Sequence, residues 1–300
     1  MNLQRIGLIG HGEVGKTFSV GLKDKPGVMA VGAWDLKFID PATSKFELDQ
    51  CSLHGITAHG SMRELCEASD LIISAVTASN TLAVAQEAAR FIRAGSVFLD
   101  FNSASPGTKQ QAAALIDARG ADYVEAGVMT SVPPHGIRVP MLLGGLQAAP
   151  LAELLNRWGL DANAVSDKLG VASAIKMCRS VMIKGLEALV IESYTTARRY
   201  GVEDHVLPTL QETFPAIDWQ RQGGYFFSRV VQHGKRRAEE MREAANTVKE
   251  AGFEPFMSVA IADKQQWISD RALDDVFKGL GKDARWQEYA DRLIADSKQK

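Results

Sequence analysis

The chain has 300 residues, of which 46% are hydrophobic and 23% are charged, and its formal net charge is −2. This length predicts about two domains of ~150 residues each. The composition is that of an ordinary globular protein. A nearly balanced charge gives no reason to expect nucleic acid or an anionic membrane as a partner.

The three cysteines (Cys51, Cys66 and Cys178) have no metal-ligand spacing, which favours free thiols in a reducing compartment. No apolar run reaches the ~18 residues that a membrane span needs. The first predicted strand begins almost at Met1, which leaves no room for a signal peptide. We therefore expect a cytoplasmic protein with no metal site.

The first predicted element is a strand at residues 5–9, followed by the turn Gly10-His11-Gly12-Glu13-Val14-Gly15 and a helix from residue 16. In a dinucleotide site the first glycine permits a tight turn, the second admits the pyrophosphate, and the third lets the helix pack against the strand. The helix N-terminus adds N–H donors and a positive dipole end. These six residues are predicted to bind a dinucleotide; the alternative is a glycine-rich turn without a ligand.

A second apolar run, residues 28–34, ends at Asp35. An acidic side chain at this position accepts hydrogen bonds from the adenosine ribose, which favours NAD. Lys37 leaves NADP open, because a nearby cation can bind a 2′-phosphate. The polar stretch that follows Phe38, to about Gly55, is predicted to be a loop with one helical turn.

Strands and helices then alternate. Strands are predicted at residues 56–58, 70–76, 96–100, 121–128 and 139–144, with a capped helix from Ser61, a helix over 80–92 and another from Pro106. Val76, Thr77 and Asn102 follow strand ends, where side chains meet a cofactor. This order predicts an α/β fold: a Rossmann-type, doubly wound parallel sheet.

The second half of the chain has apolar residues at helical spacing. One long helix of about 30 residues is predicted to end at Tyr200-Gly201. Further helices are predicted over residues 203–214, 218–230, 233–251, 255–277 and 284–297. We therefore predict a dinucleotide-binding domain at 1–165 and an all-α substrate and dimerisation domain at 166–300, entered through the long helix.

Lys176 lies near the start of that helix, among small and apolar neighbours. A desolvated lysine has a lowered pKa and can exchange protons near neutral pH. The alternative is a solvent-facing lysine on an amphipathic helix.

Four stretches resemble, in order and at similar intervals, motifs of the β-hydroxyacid dehydrogenase family, which includes 3-hydroxyisobutyrate and 6-phosphogluconate dehydrogenases. They are residues 7–15, 100–106, 125–131 and 170–180, similar to the family's G-L-G-x-M-G, D-x-S-T-x-x-P, D-A-P-V-S-G-G and G-x-G-x-x-x-K-x-x-x-N. The chain looks most similar to poorly characterised short relatives of 6-phosphogluconate dehydrogenase.

The resemblance implies that a hydride passes from a carbinol carbon to the nicotinamide of NAD or NADP while Lys176 takes the hydroxyl proton. It also implies that Thr130 or Ser131 holds a carboxylate or equivalent anion, and that Met129 and Ser180 contact substrate. Arg179 shares the helix face of Lys176 and is a candidate partner for an anionic substrate, with an ion pair to a neighbouring helix as the alternative.

This sequence departs from the family's pattern at several positions. Met129-Thr130-Ser131 replaces the family's S-G-G, and Ser180 replaces an amide side chain. A family lysine in a late helix is missing, since Glu239-Glu240-Met241 stands there; the candidate substitutes are His233, Lys235, Arg236 and Arg237. His135, on a predicted loop, is a candidate second acid or base.

The resulting functional hypothesis is an NAD(P)-dependent oxidoreductase for a 3-hydroxyacid-like alcohol and its carbonyl. We expect an anionic small-molecule substrate and a homodimer formed through the helical half. One alternative is reduction of an imine or other C=X bond on the same scaffold. Another is a non-catalytic nucleotide-binding or redox-sensing protein.

Overall fold

The computed structural model describes Met1 and residues 3–298. Two compact units divide the chain, Met1–Met177 and Cys178–Lys300. The domain boundary predicted between residues 165 and 166 stays a prediction. Within the described residues, no helix combines the length and the apolarity that crossing a membrane would require.

The first unit contains one sheet of eight strands, in the order β3-β2-β1-β4-β5-β6-β7-β8. The strands are β1 (Arg5–Ile9), β2 (Ala30–Trp34), β3 (Thr57–Ala58), β4 (Leu71–Ser74), β5 (Val97–Asp100), β6 (Asp122–Val128), β7 (Pro140–Gly144) and β8 (Asp161–Ser166). Strands β1 to β6 are mutually parallel. The apolar runs of β1, β2, β4, β5 and β6 are largely buried, as expected for strands covered on both faces. The predicted Rossmann-type domain is confirmed.

The sheet differs from the prediction at its far edge, because β7 runs antiparallel to β6 and β8 runs parallel to β7. The segment joining β6 to β7 contains a single 3-10 turn, Gly136–Arg138. A parallel connection needs a crossover of a dozen or more residues, commonly a helix, and this short segment cannot supply one. The chain therefore reverses direction after β6.

Six helices flank the strands: α1 (Glu13–Leu22), α2 (Ser44–His54), α3 (Met62–Ala68), α4 (Thr81–Ala88), α5 (Pro106–Asp117) and α6 (Ala148–Arg157). The prediction of a loop with one helical turn before Gly55 is wrong, because α2 occupies Ser44–His54. Its start is hard to recognise, because Thr43 makes no side-chain capping bond and only Glu47 and Cys51 are buried. Glu47 thereby enters the interior of the unit.

The second unit is helical. It contains most of α7 (Val171–Tyr200), followed by α8 (Glu203–Thr213), α9 (Trp219–Glu250), α10 (Phe256–Leu273) and α11 (Trp286–Ser297). The long helix is confirmed and ends at Gly201, which has a φ of +68°. The break predicted between the helices 218–230 and 233–251 lies at His233, where the backbone of α9 is non-helical and the helix is kinked. The core of the helical unit includes Tyr194, Phe227 and Trp286.

Candidate functional site

The glycine turn has the geometry of a phosphate cradle. A Cβ on Gly15 would lie 1.9 Å from the carbonyl oxygen of Gly10, and Gly10 itself has a φ of +90°. A Cβ on Gly12 would meet nothing within 4 Å. Gly12 caps α1 without a side-chain hydrogen bond, so the N-cap side chain does not satisfy the first N–H groups of the helix. Two glycines are therefore required by packing, and the third leaves room where a pyrophosphate would approach.

The predicted turn residues differ in exposure. His11 is buried, Glu13 is exposed and Val14 is half-buried. The backbone N–H of His11 donates to Asp35 Oδ2 at 2.6 Å, and the N–H of Lys37 donates to Asp35 Oδ1 at 2.9 Å. Asp35 therefore links the end of β2 to the turn, and each oxygen keeps a lone pair for a further donor.

The crevice beside the turn lies where β1 has β2 on one side and β4 on the other, which is the topological switch point of the sheet. The end of β4 is fixed there by Asn102. Its Oδ1 accepts from the N–H of Val76 at 2.7 Å, and its Nδ2 donates to Ser74 Oγ at 2.9 Å. The hydroxyl of Thr77 contacts Ser79 and accepts from Asn80 within its own turn. Asn102 thus positions the edge that Val76 and Thr77 present.

A buried cluster lies below this edge and was missed by the sequence analysis. Lys109 and Asp100 are almost fully buried, with Lys109 Nζ 3.0 Å from Asp100 Oδ2. Tyr123 donates its hydroxyl to the same carboxylate, and burial together with Asp100 raises the pKa of Tyr123 well above its usual value. Asp100 Oδ1 accepts from the N–H of Asn102 at 2.8 Å. The protonated Tyr123 and the Lys109–Asp100 ion pair therefore fix the buried end of β5.

A second buried acid caps α7. Glu125, on β6, is 0% exposed, and its Oε1 accepts from the N–H groups of Gly170 at 2.8 Å and Ala172 at 3.0 Å. Its Oε2 accepts from the N–H of Ser173 at 3.3 Å. A carboxylate at this end of a helix is favoured by the helix dipole. In the sequence Glu125 is recognisable only as the start of a motif, because its hydrogen-bond partners lie 45 or more residues along the chain.

Lys176 lies one turn further along α7 and packs against β6. A Cβ on Gly127 would lie 3.5 Å from the Cβ of Lys176 and 3.0 Å from the carbonyl oxygen of Ala172. Lys176 is half-buried. The absence of a side chain at Gly127 therefore lets the helix bearing Lys176 approach the carboxyl end of β6.

Residues 129–131 follow directly after β6. The N–H of Met129 donates to the carbonyl of Pro140 at 2.9 Å, which keeps the segment beside β7. Thr130 is exposed, whereas Met129 and Ser131 are half-buried. The structure thus brings this segment and Lys176 to the same end of β6. His135 is exposed in the following turn.

The remaining predicted residues lie in the second unit. Arg179 is exposed, while Ser180 is buried and its Oγ accepts from Lys184 Nζ at 3.2 Å. Lys184 also pairs with Glu240 at 2.6 Å.

Among the candidate substitutes, Lys235 and Arg236 are exposed, but Arg237 is buried and forms an ion pair with Glu187. Burial and nearby cations lower the pKa of His233 to about 4. Arg237 is therefore committed to the interior of its unit, and His233 is neutral at pH 7.

In the described ranges, 1 and 3–298, no group of three or more acidic, cysteine or histidine side chains has the arrangement of a metal site. The open glycine turn, the acid at the end of β2 and the crevice at the switch point define a Rossmann-type dinucleotide-binding protein.

Comparison with known proteins narrows this class. Residues 5–137 match the NAD-binding domain of 6-phosphogluconate dehydrogenase, and residues 197–268 match a domain of unknown function, DUF1932. A conserved hypothetical protein from Sinorhizobium meliloti is 36% identical, with a TM-score of 0.76 over 98% of this chain and 97% of that one. The conserved protein MTH1747, structurally similar to 3-hydroxyacid dehydrogenases, is 31% identical, with a TM-score of 0.68 over 90% of this chain and 98% of that one.

A 28.5 kDa protein of Methanothermus fervidus is 29% identical over 84% of this chain and 94% of its own length. The 3-hydroxyisobutyrate dehydrogenase of Mycobacterium tuberculosis shares the fold, with 15% identity and a TM-score of 0.67 over 97% of this chain and 99% of that one. The chain belongs to the β-hydroxyacid dehydrogenase family, and its fold is that of the family's NAD(P)-dependent oxidoreductases.

Proposed function

We propose that this protein is an NAD(P)-dependent oxidoreductase that interconverts a 3-hydroxyacid-like alcohol and its carbonyl, with Lys176 as general acid and base. The observation that supports this most directly is the position of Lys176. It is half-buried where α7 meets Gly127, at the strand edge that also carries the glycine turn. This edge is where ligands bind in open α/β sheets.

Each side chain has a stated role in the proposal. The first N–H groups of α1 hold the pyrophosphate, and Asp35 accepts from the adenosine ribose. When bound, the dinucleotide accepts or returns a hydride. Lys176 Nζ takes the hydroxyl proton of the alcohol during oxidation and gives it back during reduction. The hydroxyls of Thr130 and Ser131 donate to an anionic group of the substrate.

Arg179 and Ser180 stand three and four residues beyond Lys176 on α7, so they share its helix face. We assign Arg179 to an anionic group of the substrate, because its guanidinium is exposed. Ser180 already accepts from Lys184 and contributes through its remaining hydrogen-bonding capacity. The family's amide is thereby replaced by a hydroxyl held in place by a buried lysine.

Replacement of Lys176 tests the proposal. We expect Lys176→Ala to lower turnover by about 100- to 10,000-fold, the usual contribution of general acid–base catalysis, with dinucleotide affinity unchanged. Turnover is followed by the absorbance of reduced cofactor over a panel of hydroxyacids and sugar acids, with NAD and NADP in separate assays. Lys168→Ala, an exposed lysine just before α7, is the matched control. Full activity in Lys176→Ala would reject the assignment.

A second candidate is reduction of a C=N bond. Met129-Thr130-Ser131 and Ser180 change the part of the site where family members hold a carboxylate. A reductive aminase from Aspergillus terreus, solved with NADPH, also shares this fold at 16% identity with a TM-score of 0.56 over 97% of this chain and 99% of that one. A panel of imines with reduced cofactor distinguishes the two reactions. Binding without turnover on either panel would instead favour a nucleotide-binding or sensing protein.

We also propose a homodimer formed through the helical unit. The exposed large apolar side chains of this unit include Met182 and Leu189 on α7, and Phe256 and Met257 on α10. Exposed apolar area of this kind is typical of an interaction surface. Light scattering on a sizing column measures the mass, and Leu189→Glu should convert a dimer of ~65 kDa, twice the chain mass of 32.6 kDa, to a monomer.

A further inference from the structure

Helix α2 places a buried acid beside the glycine turn. Glu47 is 6% exposed, and its Oε2 lies 2.7 Å from Lys16 Nζ and 3.7 Å from His11 Nδ1. Its Oε1 lies 4.0 Å from Lys37 Nζ. Buried carboxylates are kept charged by such partners. One acid therefore faces both lysines that flank the turn and the end of β2.

The same residues connect Glu47 to Asp35, the acid proposed to hold the adenosine ribose. The N–H of His11 and the N–H of Lys37 both donate to Asp35, while the side chains of His11 and Lys37 approach Glu47. Lys16 belongs to the second turn of α1, directly after the glycine turn. Glu47 and the two lysines thus lie on the ribose side of the proposed dinucleotide site.

The charges of this group balance. Burial and the neighbouring Lys16 lower the pKa of His11, so the ring is neutral at pH 7. This leaves two acids, Asp35 and Glu47, and two cations, Lys16 and Lys37. Glu47 Oε2 receives no aligned hydrogen bond from the described residues, so charge attraction to Lys16 is its main polar interaction.

We infer that Glu47 sets the cofactor preference: it neutralises Lys16 and Lys37, keeps both from binding a 2′-phosphate, and makes the protein favour NAD⁺ over NADP⁺. The inference rests on the proposed dinucleotide site. A 2′-phosphate carries a charge of about −1.5 to −2 and seeks cationic partners. Here it would compete with Glu47 for the same two lysines, and both acids would repel it.

The test is Glu47→Gln, which keeps the shape of the side chain and removes its charge. Kd values for NAD⁺ and NADP⁺ are measured by calorimetry, together with 5′-AMP and adenosine 2′,5′-bisphosphate, which lack the nicotinamide and cannot turn over. We expect NADP⁺ and the bisphosphate to bind at least about tenfold more tightly, as for one gained charge-assisted contact. NAD⁺ and 5′-AMP should change by less than about threefold, well below that contact's effect.

Three further variants control the result. Asp49→Asn removes an exposed acid from the same helix, one paired with Lys45, and should leave all four Kd values unchanged. Glu47→Gln combined with Lys16→Gln should return the NADP⁺ to NAD⁺ ratio towards that of the native protein. Lys37→Glu changes an exposed side chain, so folding should not depend on it; it should weaken NADP⁺ binding while NAD⁺ binding persists.

Two results would overturn the inference alone: native protein that binds NADP⁺ as tightly as NAD⁺, or an unchanged ratio in Glu47→Gln and in Lys37→Glu while NAD⁺ still binds. Protein that binds neither nucleotide would instead refute the proposed cofactor site, and the inference with it. The thermal unfolding midpoint of each variant without nucleotide separates a loss of fold from a change in recognition.

Discussion

Replacement of Glu125 by glutamine should loosen the first turn of α7. Glutamine keeps an oxygen for Gly170 and Ala172 but turns an NH₂ group towards the N–H of Ser173, which Glu125 Oε2 now accepts at 3.3 Å. One hydrogen bond to a charged group is worth about 1.5–3 kcal/mol, and the helix-dipole interaction adds about 0.3–1 kcal/mol. The buried charge no longer has to be desolvated, which offsets part of the loss. We expect a net local cost of about 2 kcal/mol.

Amide hydrogen exchange measures this cost where it arises. A loss of about 2 kcal/mol accelerates exchange through local opening by about 30-fold in peptides that cover residues 168–178. Glu153→Gln, at an exposed acid on α6, is the control and should exchange like the native protein. Turnover should also fall, because Lys176 lies one turn beyond the cap. Native exchange rates in Glu125→Gln would show that the carboxylate does not hold the helix.

Two further predictions concern the first unit. Gly12→Ala should keep the native unfolding midpoint but weaken dinucleotide binding at least about tenfold. Gly15→Ala should unfold at lower temperature, because only the Cβ added at position 15 lies within 2 Å of a backbone atom. Equal unfolding midpoints for the two variants would refute the packing argument. Arg5 and Arg93 hold the pKa of Asp70 well below its usual range. Its stabilisation is therefore present above pH ~4 and is lost as the pH falls, so the advantage of the native protein over Asp70→Asn in urea unfolding should shrink between pH 5 and pH 3, by an amount that solvent screening of the exposed Arg5 reduces. A constant difference in unfolding free energy between the native protein and Asp70→Asn across that pH range would contradict the lowered pKa of Asp70.

The sequence predicts those parts of the fold that are encoded by local patterns. The glycine turn, the buried parallel strands and the 30-residue helix Val171–Tyr200 each have a period or a capping residue of their own. Helix α2 has neither, and the direction of β7 depends on the length of a connection rather than on the composition of the strand. These two features were therefore mispredicted for different physical reasons.

The candidate site shows the same limit. Lys176 and the turn residues stand in recognisable motifs, so their positions could be stated before the structure. The buried acids could not be assigned partners, because Glu125 caps a helix that begins more than forty residues later. Lys109 likewise stands in no recognisable motif, although it is enclosed and paired with Asp100. Long-range electrostatic contacts of this kind leave no periodic signal in the sequence.

The buried acids also bear on how such a protein can acquire new substrates. Asp100 and Glu125 are bound to the scaffold, whereas Thr130 is exposed at the end of the same strand as Glu125. The residues that hold the strand ends are thus different from the residues proposed to contact substrate. On the proposed assignment, substitution at 129 or 130 alters recognition and leaves the cap of α7 in place, whereas substitution at 125 removes that cap.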